Sequence, residues 1–213
     1  MSEGAEPSDE ELLTRWRAGE REAGVELVER HHESVARFFA SKVHTGADDL
    51  VQATFLGLLD GALERFREDA SFRTFLFAIA RNKLLVHLRG LQRDRERFDP
   101  SRSTLAGLGR SYSGLIDARS RNKLLLASLR ELPLDTQLML ELHYWEGMKV
   151  REIAVVLELN PTTVRTRMHR GRTRLFERMQ ALASSRVELE TTMRGLEGWA
   201  AVLREELGPP EDL

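Results

Sequence analysis

Apolar residues recur at three- and four-residue intervals along most of the chain, which is the spacing of one face of an α-helix. A capping sequence beginning at Ser8 predicts the start of the first helix, and Gly147 marks the end of a later one. The predicted helices span residues 9–18, 20–43, 47–66, 71–91, 120–132, 133–146, 149–157 and 161–178. We therefore expect an all-α fold. Abundant Leu, Ala, Glu and Arg, beside only six Pro and two Tyr, favour the same fold class.

The helical pattern fails over residues 92–119, which are rich in Ser, Gly, Arg and Asp. This break predicts a flexible linker between two small helical domains, residues 8–91 and 120–179. Residues 180–213 form a C-terminal extension in which Leu recurs every seven residues, so a helical tail there would present a continuous apolar seam. The tail would either pack back on its own domain or offer a surface to a regulator or a second copy.

Residues 149–178 combine two amphipathic helices with a short break that carries helix-start signals. On the first helix, Ile153 and Leu157 belong to one apolar stripe. Asn160 can cap the second helix through its side-chain oxygen, and Pro161 fits the first helical position because that position needs no N–H. The pattern predicts a helix-turn-helix whose second helix begins at residue 161.

The second helix of this pair would present hydroxyl groups and guanidiniums on its outer face. Arginine pairs in a bidentate manner with guanine edges, threonine contacts a thymine methyl or a phosphate, and a helix N-terminus favours an anion. The candidate DNA contacts are Thr162, Thr163, Arg165, Thr166, Arg167 and Arg170, with Arg174 further along. The pattern favours a major-groove reader over a solvated basic face. Glu158 stands where such turns commonly have glycine, which predicts a looser turn or an unusual backbone conformation.

A second basic segment, residues 71–91, interleaves aromatic and aliphatic side chains with cations. Aromatic rings offer faces on which exposed bases stack, and cations follow the phosphates, which is the chemistry of single-strand capture. The candidate contacts are Arg73, Phe75, Arg81, Asn82 and Lys83. A helix buried in a core would show the same apolar stripe, so both interpretations stay open on spacing alone.

Charge is separated along the chain, although the net charge is only −2. Residues 1–33 and the segment from residue 187 onward are rich in Glu, whereas residues 72–98 and 162–178 are rich in Arg. Two separate basic segments between acidic ends indicate two contacts with a polyanion. Since the bulk charge does not favour indiscriminate binding, we expect the protein to need a partner in order to bind well.

Composition narrows the class of protein further. A chain with 41% hydrophobic and 31% charged residues, an acidic N-terminus and no long apolar run predicts a cytoplasmic protein without membrane insertion. The absence of cysteine excludes disulfides and thiolate metal sites. Because no Ser/His/Asp set, carboxylate pair, phosphate loop or metal-ligand spacing stands out, we expect no enzyme activity, catalytic residue, cofactor, metal or small-molecule substrate.

Three segments, in the same order, resemble motifs of the sigma-70 family of RNA polymerase sigma factors, and specifically its compact extracytoplasmic-function (ECF) group. ADDLVQATFLGLL is similar to the family's helix that binds the clamp helices of RNA polymerase. FRTFLFAIARNKLLVHLR is similar to its helix that recognises and opens the minus-10 element, and the segment LRELP through RTRL to the region that reads the minus-35 element. The resemblance covers roughly residues 9–90 and 124–179.

The resemblance implies a sigma factor that binds core RNA polymerase and promoter DNA. The implied polymerase contacts are Asp49, Leu50, Gln52, Phe55 and Leu56. It also assigns the candidate single-strand contacts to the minus-10 element and the helix-turn-helix contacts to the minus-35 element. An anti-sigma factor is a further candidate partner. Two alternatives remain, a polymerase-independent helix-turn-helix regulator of transcription and a helical protein-interaction module.

Overall fold

The computed structural model describes residues 6–43, 45–59, 70–91, 98–106 and 123–185. Regular structure in this part of the chain is helical, apart from one isolated antiparallel bridge between Thr104 and Pro133. The helices are α1 (Asp9–Arg17), α2 (Arg21–Ala40), α3 (Ala47–Gly57), α4 (Phe72–Leu91), α5 (Lys123–Arg130), α6 (Leu134–Tyr144), α7 (Val150–Leu157) and α8 (Pro161–Leu182). The predicted all-α fold is confirmed.

Local signals set where helices begin, as the sequence predicted. Ser8 forms a capping box at α1, because its Oγ accepts a hydrogen bond from the N–H of Glu11, whose carboxylate accepts one from the N–H of Ser8. At α8, the side chain of Asn160 accepts a hydrogen bond from the N–H of Thr162 at 2.8 Å, and Pro161 occupies the first helical position. These caps satisfy N–H groups that have no partner within the helix.

The first four helices pack around a shared apolar core, with α2 contacting α1, α3 and α4. Its wholly buried members include Leu12, Leu27, Phe39, Leu76, Phe77 and Leu84. The crossing of α1 and α2 is tight, because a Cβ atom on Gly24 would lie 2.6 Å from the ring of Trp16. Glycine at this position is therefore a packing requirement.

The last four helices form a second packed group, in which α8 contacts α5, α6 and α7. A cluster of buried side chains joins α5 to the second half of α8, namely Leu124, Leu125, Leu126, Leu129, Leu132, Leu140, Leu175 and Met179. Helices α6 and α8 approach closely at Gly171, where a Cβ atom would lie 2.5 Å from Cγ2 of Thr136. This contact holds the inner face of α8 against α6.

The hydrophobic core does not end at the predicted linker. One cluster of buried side chains contains residues of α1 to α4 and also residues of α6, α7 and α8. Helix α4 packs directly on α7, the first helix of the helix-turn-helix. The two predicted domains are thus packed together in this structure.

The described part of the predicted linker, residues 98–106, is packed and not free. Phe98 and Leu105 are buried in the shared cluster. The carbonyls of Pro100 and Ser103 accept hydrogen bonds, at 3.0 and 2.9 Å, from N–H groups in the first turn of α6. The predicted flexibility does not hold for this stretch, because its apolar side chains lie in the core.

Helix α8 continues past the predicted domain end at residue 179 to Leu182. The apolar seam predicted for the C-terminal tail, and the predicted helical residues 60–66, lie outside the described residues. Among the helices that the structure describes, none is both long enough and apolar enough to cross a membrane.

Candidate nucleic-acid interface

The two helices α7 and α8 are joined by a tight turn of three residues. Glu158 at the end of α7 adopts a left-handed conformation, with φ 55° and ψ 42°. Its N–H donates to the carbonyl of Val155, and the N–H of Leu159 donates to that of Ala154, so the end of α7 is closed by hydrogen bonds. Of the two alternatives predicted for Glu158, a looser turn or an unusual backbone conformation, the second is observed.

The inner face of α8 is an apolar stripe. Its packing against the neighbouring helices fixes the orientation of the outer, polar face. Val164, Met168 and Leu175 are buried at helical spacing, and Gly171 and Met179 complete the same stripe. Sequence periodicity alone did not identify Gly171 as a point of close helix contact. The side chain that leaves no room for a Cβ atom there belongs to Thr136 on α6.

The candidate DNA-contacting residues of α8 lie on its other faces. Thr162, Arg165, Thr166, Arg170 and Arg174 are exposed, whereas Thr163 and Arg167 are half-buried. The Oγ1 of Thr166 donates to the carbonyl of Thr162 at 3.0 Å. Nη1 of Arg167 lies 3.7 Å from Oδ2 of Asp135 on α6. The exposed members form one hydroxyl- and guanidinium-bearing surface that continues along the helix.

The candidate residues of α4 do not share one surface. Arg81 is buried, with only 8% of its surface exposed, and its Nη2 lies 3.9 Å from Oδ1 of Asp135. Nη2 of Arg73 lies 2.6 Å from Oε2 of Glu146, which follows α6. Both arginines of the predicted set therefore face the last four helices.

The remaining candidates of α4 lie towards its other side. Asn82 is exposed, and Phe75 is half-buried against the core. The side chain of Lys83 is half-buried and passes beside Gly57 of α3. The core interpretation holds for Phe72, Leu76 and Phe77, which are buried. The single-strand interpretation of the less buried side chains stays a prediction.

The candidate polymerase contacts on α3 also divide between two faces. Asp49, Gln52 and Leu56 are exposed and lie at helical spacing, with Leu59 continuing the line. The exposed fractions of Leu56 and Leu59 are 50% and 63%, which is high for leucine. This leaves an apolar strip on the surface.

The other two α3 candidates are oriented towards the protein. Leu50 is buried in the core, so its side chain faces the interior. Phe55 is half-buried, and its ring stacks on His32 with centroids 6.0 Å apart and an interplanar angle of 12°. All of these site assignments stay predictions.

Sequence reasoning missed a set of charged residues between the two groups of helices. Lys42, Asp135, Glu141 and Glu146 are all buried. Lys42 and Glu141 form an ion pair although 99 residues separate them, and no motif of either residue signals the other. Among the described residues, no group of His, Asp or Glu side chains is placed to hold a metal ion.

Family models match a segment in each of the two groups of helices. The family model of Sigma-70 region 2 matches residues 27–94, and that of Sigma-70, region 4 matches residues 122–175. The first match contains α3 and α4, and the second contains α6, α7 and the candidate DNA-contacting part of α8. Together the two matched segments cover more than half of the chain.

The matches to curated relatives extend over nearly the whole length of each relative. The chain is similar to the ECF RNA polymerase sigma-E factor of Salmonella typhimurium, with 27% identity over 184 residues, 82% of this chain and 96% of the relative. It is also similar to the RNA polymerase sigma-H factor of Pseudomonas aeruginosa, with 28% identity over 188 residues, 82% of this chain and 95% of the relative.

Two solved structures have a similar fold. CnrH in complex with the cytosolic domain of CnrY superposes with a TM-score of 0.58 at 25% identity, covering 82% of this chain and 99% of CnrH. The sigma factor RpoE from Bartonella quintana, in complex with the anti-sigma factor NepR, gives a TM-score of 0.52 at 22% identity. That match covers 74% of this chain and 94% of RpoE.

Proposed function

The chain belongs to the extracytoplasmic-function group of the sigma-70 family, and on that premise we propose that it directs core RNA polymerase to promoters through minus-35 and minus-10 elements. It is a non-enzymatic, DNA-recognising sigma factor. The observation that carries the proposal is the row of exposed threonines and arginines along α8, on a helix that α6 and α7 fix in place.

We assign α8 to the minus-35 element. The N-terminus of α8 offers the positive end of the helix dipole to phosphate. Arg165 and Arg170 are exposed, so their guanidiniums are free to pair with base edges in the major groove. No rearrangement of the chain is needed for this contact, because the helix already presents this face.

We assign α4 to the minus-10 element. Phe75 supplies an aromatic face for an unstacked base, while Asn82 and Lys83 supply hydrogen-bond donors and charge beside it. Arg73 and Arg81 complete the set once they separate from their carboxylate partners. Strand opening would be driven by the free energy of binding the exposed bases.

We assign the exposed strip of α3 to core RNA polymerase. Asp49 and Gln52 supply polar contacts, and Leu56 supplies apolar area that is exposed in the free chain. A protein that binds this sigma factor as the cytosolic domain of CnrY binds CnrH is a further proposed partner.

The central experiment combines the purified chain with core RNA polymerase from the host organism and a library of promoter fragments, and sequences the transcripts. We expect transcripts that begin at fixed distances downstream of two shared sequence elements. Duplex binding by the isolated chain without any specific transcript would favour the polymerase-independent regulator instead. Failure to bind either polymerase or DNA would favour the protein-interaction module.

Residue roles are tested on a promoter recovered from that library. Phe75→Ala should leave the binding of polymerase unchanged and should reduce strand opening, measured by permanganate reactivity of unpaired thymines. Leu91→Ala is the matched control, since Leu91 is an exposed apolar residue on the same helix. Normal opening by Phe75→Ala would show that this ring does not capture a base.

A further inference from the structure

Three ion pairs between described residues of the two groups of helices share one charge direction. These ion pairs are Lys42 with Glu141, Arg73 with Glu146 and Arg81 with Asp135. Oε1 of Glu152 lies 3.3 and 3.4 Å from the hydroxyls of Ser71 and Thr74, and Nη1 of Arg130 donates to the carbonyl of Ser41 at 3.3 Å. In each of these ion pairs the cation belongs to α4 or follows α2, and the anion belongs to α6 or follows it. We name Asp135, Glu141, Glu146 and Glu152 the carboxylate surface.

The most deeply buried pair exists only while the two groups of helices are packed. Lys42 is fully buried, with 0% of its surface exposed. Its Nζ donates to the carbonyl of Phe38 at 2.7 Å and to Oγ of Ser41 at 2.8 Å, and it also contacts Glu141. Burial lowers the pKa of the Lys42 ammonium, and the Glu141 carboxylate acts in the opposite direction. Separation of the helices would expose both charges to water.

Asp135 connects the two predicted DNA-binding helices. Its carboxylate lies 3.9 Å from Arg81 of α4 and 3.7 Å from Arg167 of α8. Burial raises the pKa of the Asp135 carboxyl, and the two guanidiniums oppose that shift. One carboxylate thus contacts a candidate minus-10 residue and a candidate minus-35 residue at the same time.

The carboxylate surface offers α4 the same chemistry as a phosphate backbone. Carboxylates and phosphates are both anionic oxygen acceptors for guanidinium groups. Arg73 is already paired with Glu146, and Arg81 is buried 3.9 Å from Asp135, so these carboxylates compete with DNA phosphates for both guanidiniums. Apolar contacts between α4 and α7 add to this closure, since both helices contribute to one buried cluster.

We propose that the carboxylate surface acts as an internal substitute for nucleic acid, which keeps the free chain closed and covers the basic side of α4 until the two groups of helices separate. This inference rests on the proposed function in one respect, namely that the ligand excluded from α4 is single-stranded DNA. The closure itself is a property of the chain alone.

The closure is measured first, without DNA or polymerase. The chain has no cysteine, so spin labels can be placed at Glu22→Cys on α2 and Glu177→Cys on α8, both at exposed positions. Double electron–electron resonance should give one narrow distance distribution for the otherwise unchanged chain. Adding Glu141→Gln and Glu146→Gln should broaden the distribution and lengthen the distances, because Lys42 and Arg73 lose their partners.

Two further variants separate closure from stability. Glu131→Gln removes an ion pair with Arg178 inside the last four helices and should leave the distribution narrow. Lys42→Met combined with Glu141→Leu replaces the buried pair by apolar side chains and should also keep the chain closed. If the double Gln variant loses its helical circular dichroism, Glu146→Gln alone takes its place. Its partner Arg73 is at the edge of the contact, with 34% of its side chain exposed.

The covering of α4 is measured next, with a labelled oligothymidine as the probe. The apparent dissociation constant of a closed chain is raised by the small fraction that is open, so the Gln variant should bind about tenfold more tightly than the unchanged chain. Glu131→Gln should bind as the unchanged chain does. The variant with Lys42→Met and Glu141→Leu, which stays closed, should bind the oligothymidine no more tightly than the unchanged chain does.

Two results would overturn the proposal. One is a broad distance distribution in the unchanged chain, or an equally narrow one in the Gln variant, since either shows that these carboxylates do not hold the chain closed. The other is an opened Gln variant without tighter oligothymidine binding, since the carboxylates then do not compete with nucleic acid. A closed chain that opens as expected but supports no transcription with core polymerase would count against the proposed function alone.

Discussion

Helices α4 and α8 each carry arginines beside an apolar stripe, yet the structure places those arginines in opposite environments. On α8, Arg165 and Arg170 are exposed, while the apolar stripe faces α6 and α7. On α4, Arg81 is buried near Asp135 and Arg73 is paired with Glu146, because α6 and the residues after it supply these carboxylates. Similar composition therefore gives one helix that is ready to bind an anion and one that already holds one.

This difference shows that basic side chains on a helix define a potential DNA contact. Whether those side chains are exposed to DNA depends on the element that packs against the helix. The exposed row of α8 follows from how α8 is held inside its own group of helices. The covered row of α4 follows from contact with the other group.

The largest effect is expected for Arg81→Ala. The substitution leaves Asp135 buried with only the half-exposed Arg167 nearby, so we expect the free energy of unfolding to fall by about 3 kcal/mol. Urea denaturation followed by circular dichroism measures it. Duplex binding through α8 should be unchanged in the folded protein. A loss of stability below about 0.5 kcal/mol, the range of surface substitutions, would show that Arg81 is not a structural partner of Asp135.

A substitution on α8 should have the opposite profile. Arg165→Ala should weaken binding to a recovered minus-35 duplex by about 1–3 kcal/mol and relax discrimination at one base pair, because a bidentate contact is lost. Its stability should change by less than about 0.5 kcal/mol. Fluorescence anisotropy at fixed salt measures the affinity. Arg178→Ala is the control, since that guanidinium pairs with Glu131. Equal losses in both variants would point to general charge rather than base reading.

The close crossing that orients α8 is tested by Gly171→Ala. The added Cβ would lie 2.5 Å from Cγ2 of Thr136, so α6 and α8 must shift, and we expect a loss of about 1–3 kcal/mol in the free energy of unfolding. Gly90→Ala on α4 is the matched control, because nothing lies within 4 Å of its added Cβ. That variant should gain up to about 1 kcal/mol from helix propensity. An unchanged stability for Gly171→Ala would mean that the crossing adapts freely.

The smallest effect is expected at the turn before α8. Glu158 has a positive φ that costs a non-glycine residue about 1–2 kcal/mol, so Glu158→Gly should stabilise the protein by about 0.5–1 kcal/mol after the added backbone entropy of glycine. Thermal unfolding at fixed protein concentration measures the gain. Glu158→Ala keeps the strain and serves as the control. A destabilised Gly variant would show that the Glu158 side chain makes a contact that offsets the strain.

Local sequence signals determined most of the helices and the form of the helix-turn-helix. Ser8 and Asn160 act as caps, and Val164 and Met168 face inward, because capping and the 3.6-residue period depend only on residues within one or two turns. The position of Glu158 reduced the outcome to a looser turn or an unusual backbone conformation, because a steric preference at a turn is local. The same period could not separate the buried from the exposed members of α4, since it says which residues share a face and not what covers that face.

The packing of helices distant in sequence sets what covers each face. Lys42 meets Glu141 across 99 residues, and Arg73 meets Glu146 across 73. Such pairs leave no periodic or motif signal, because their free energy depends on burial and on a partner brought near by the packing of other helices. Short-range signals thus predict the helices, the turn and the family, whereas long-range packing sets which of the two basic surfaces is exposed.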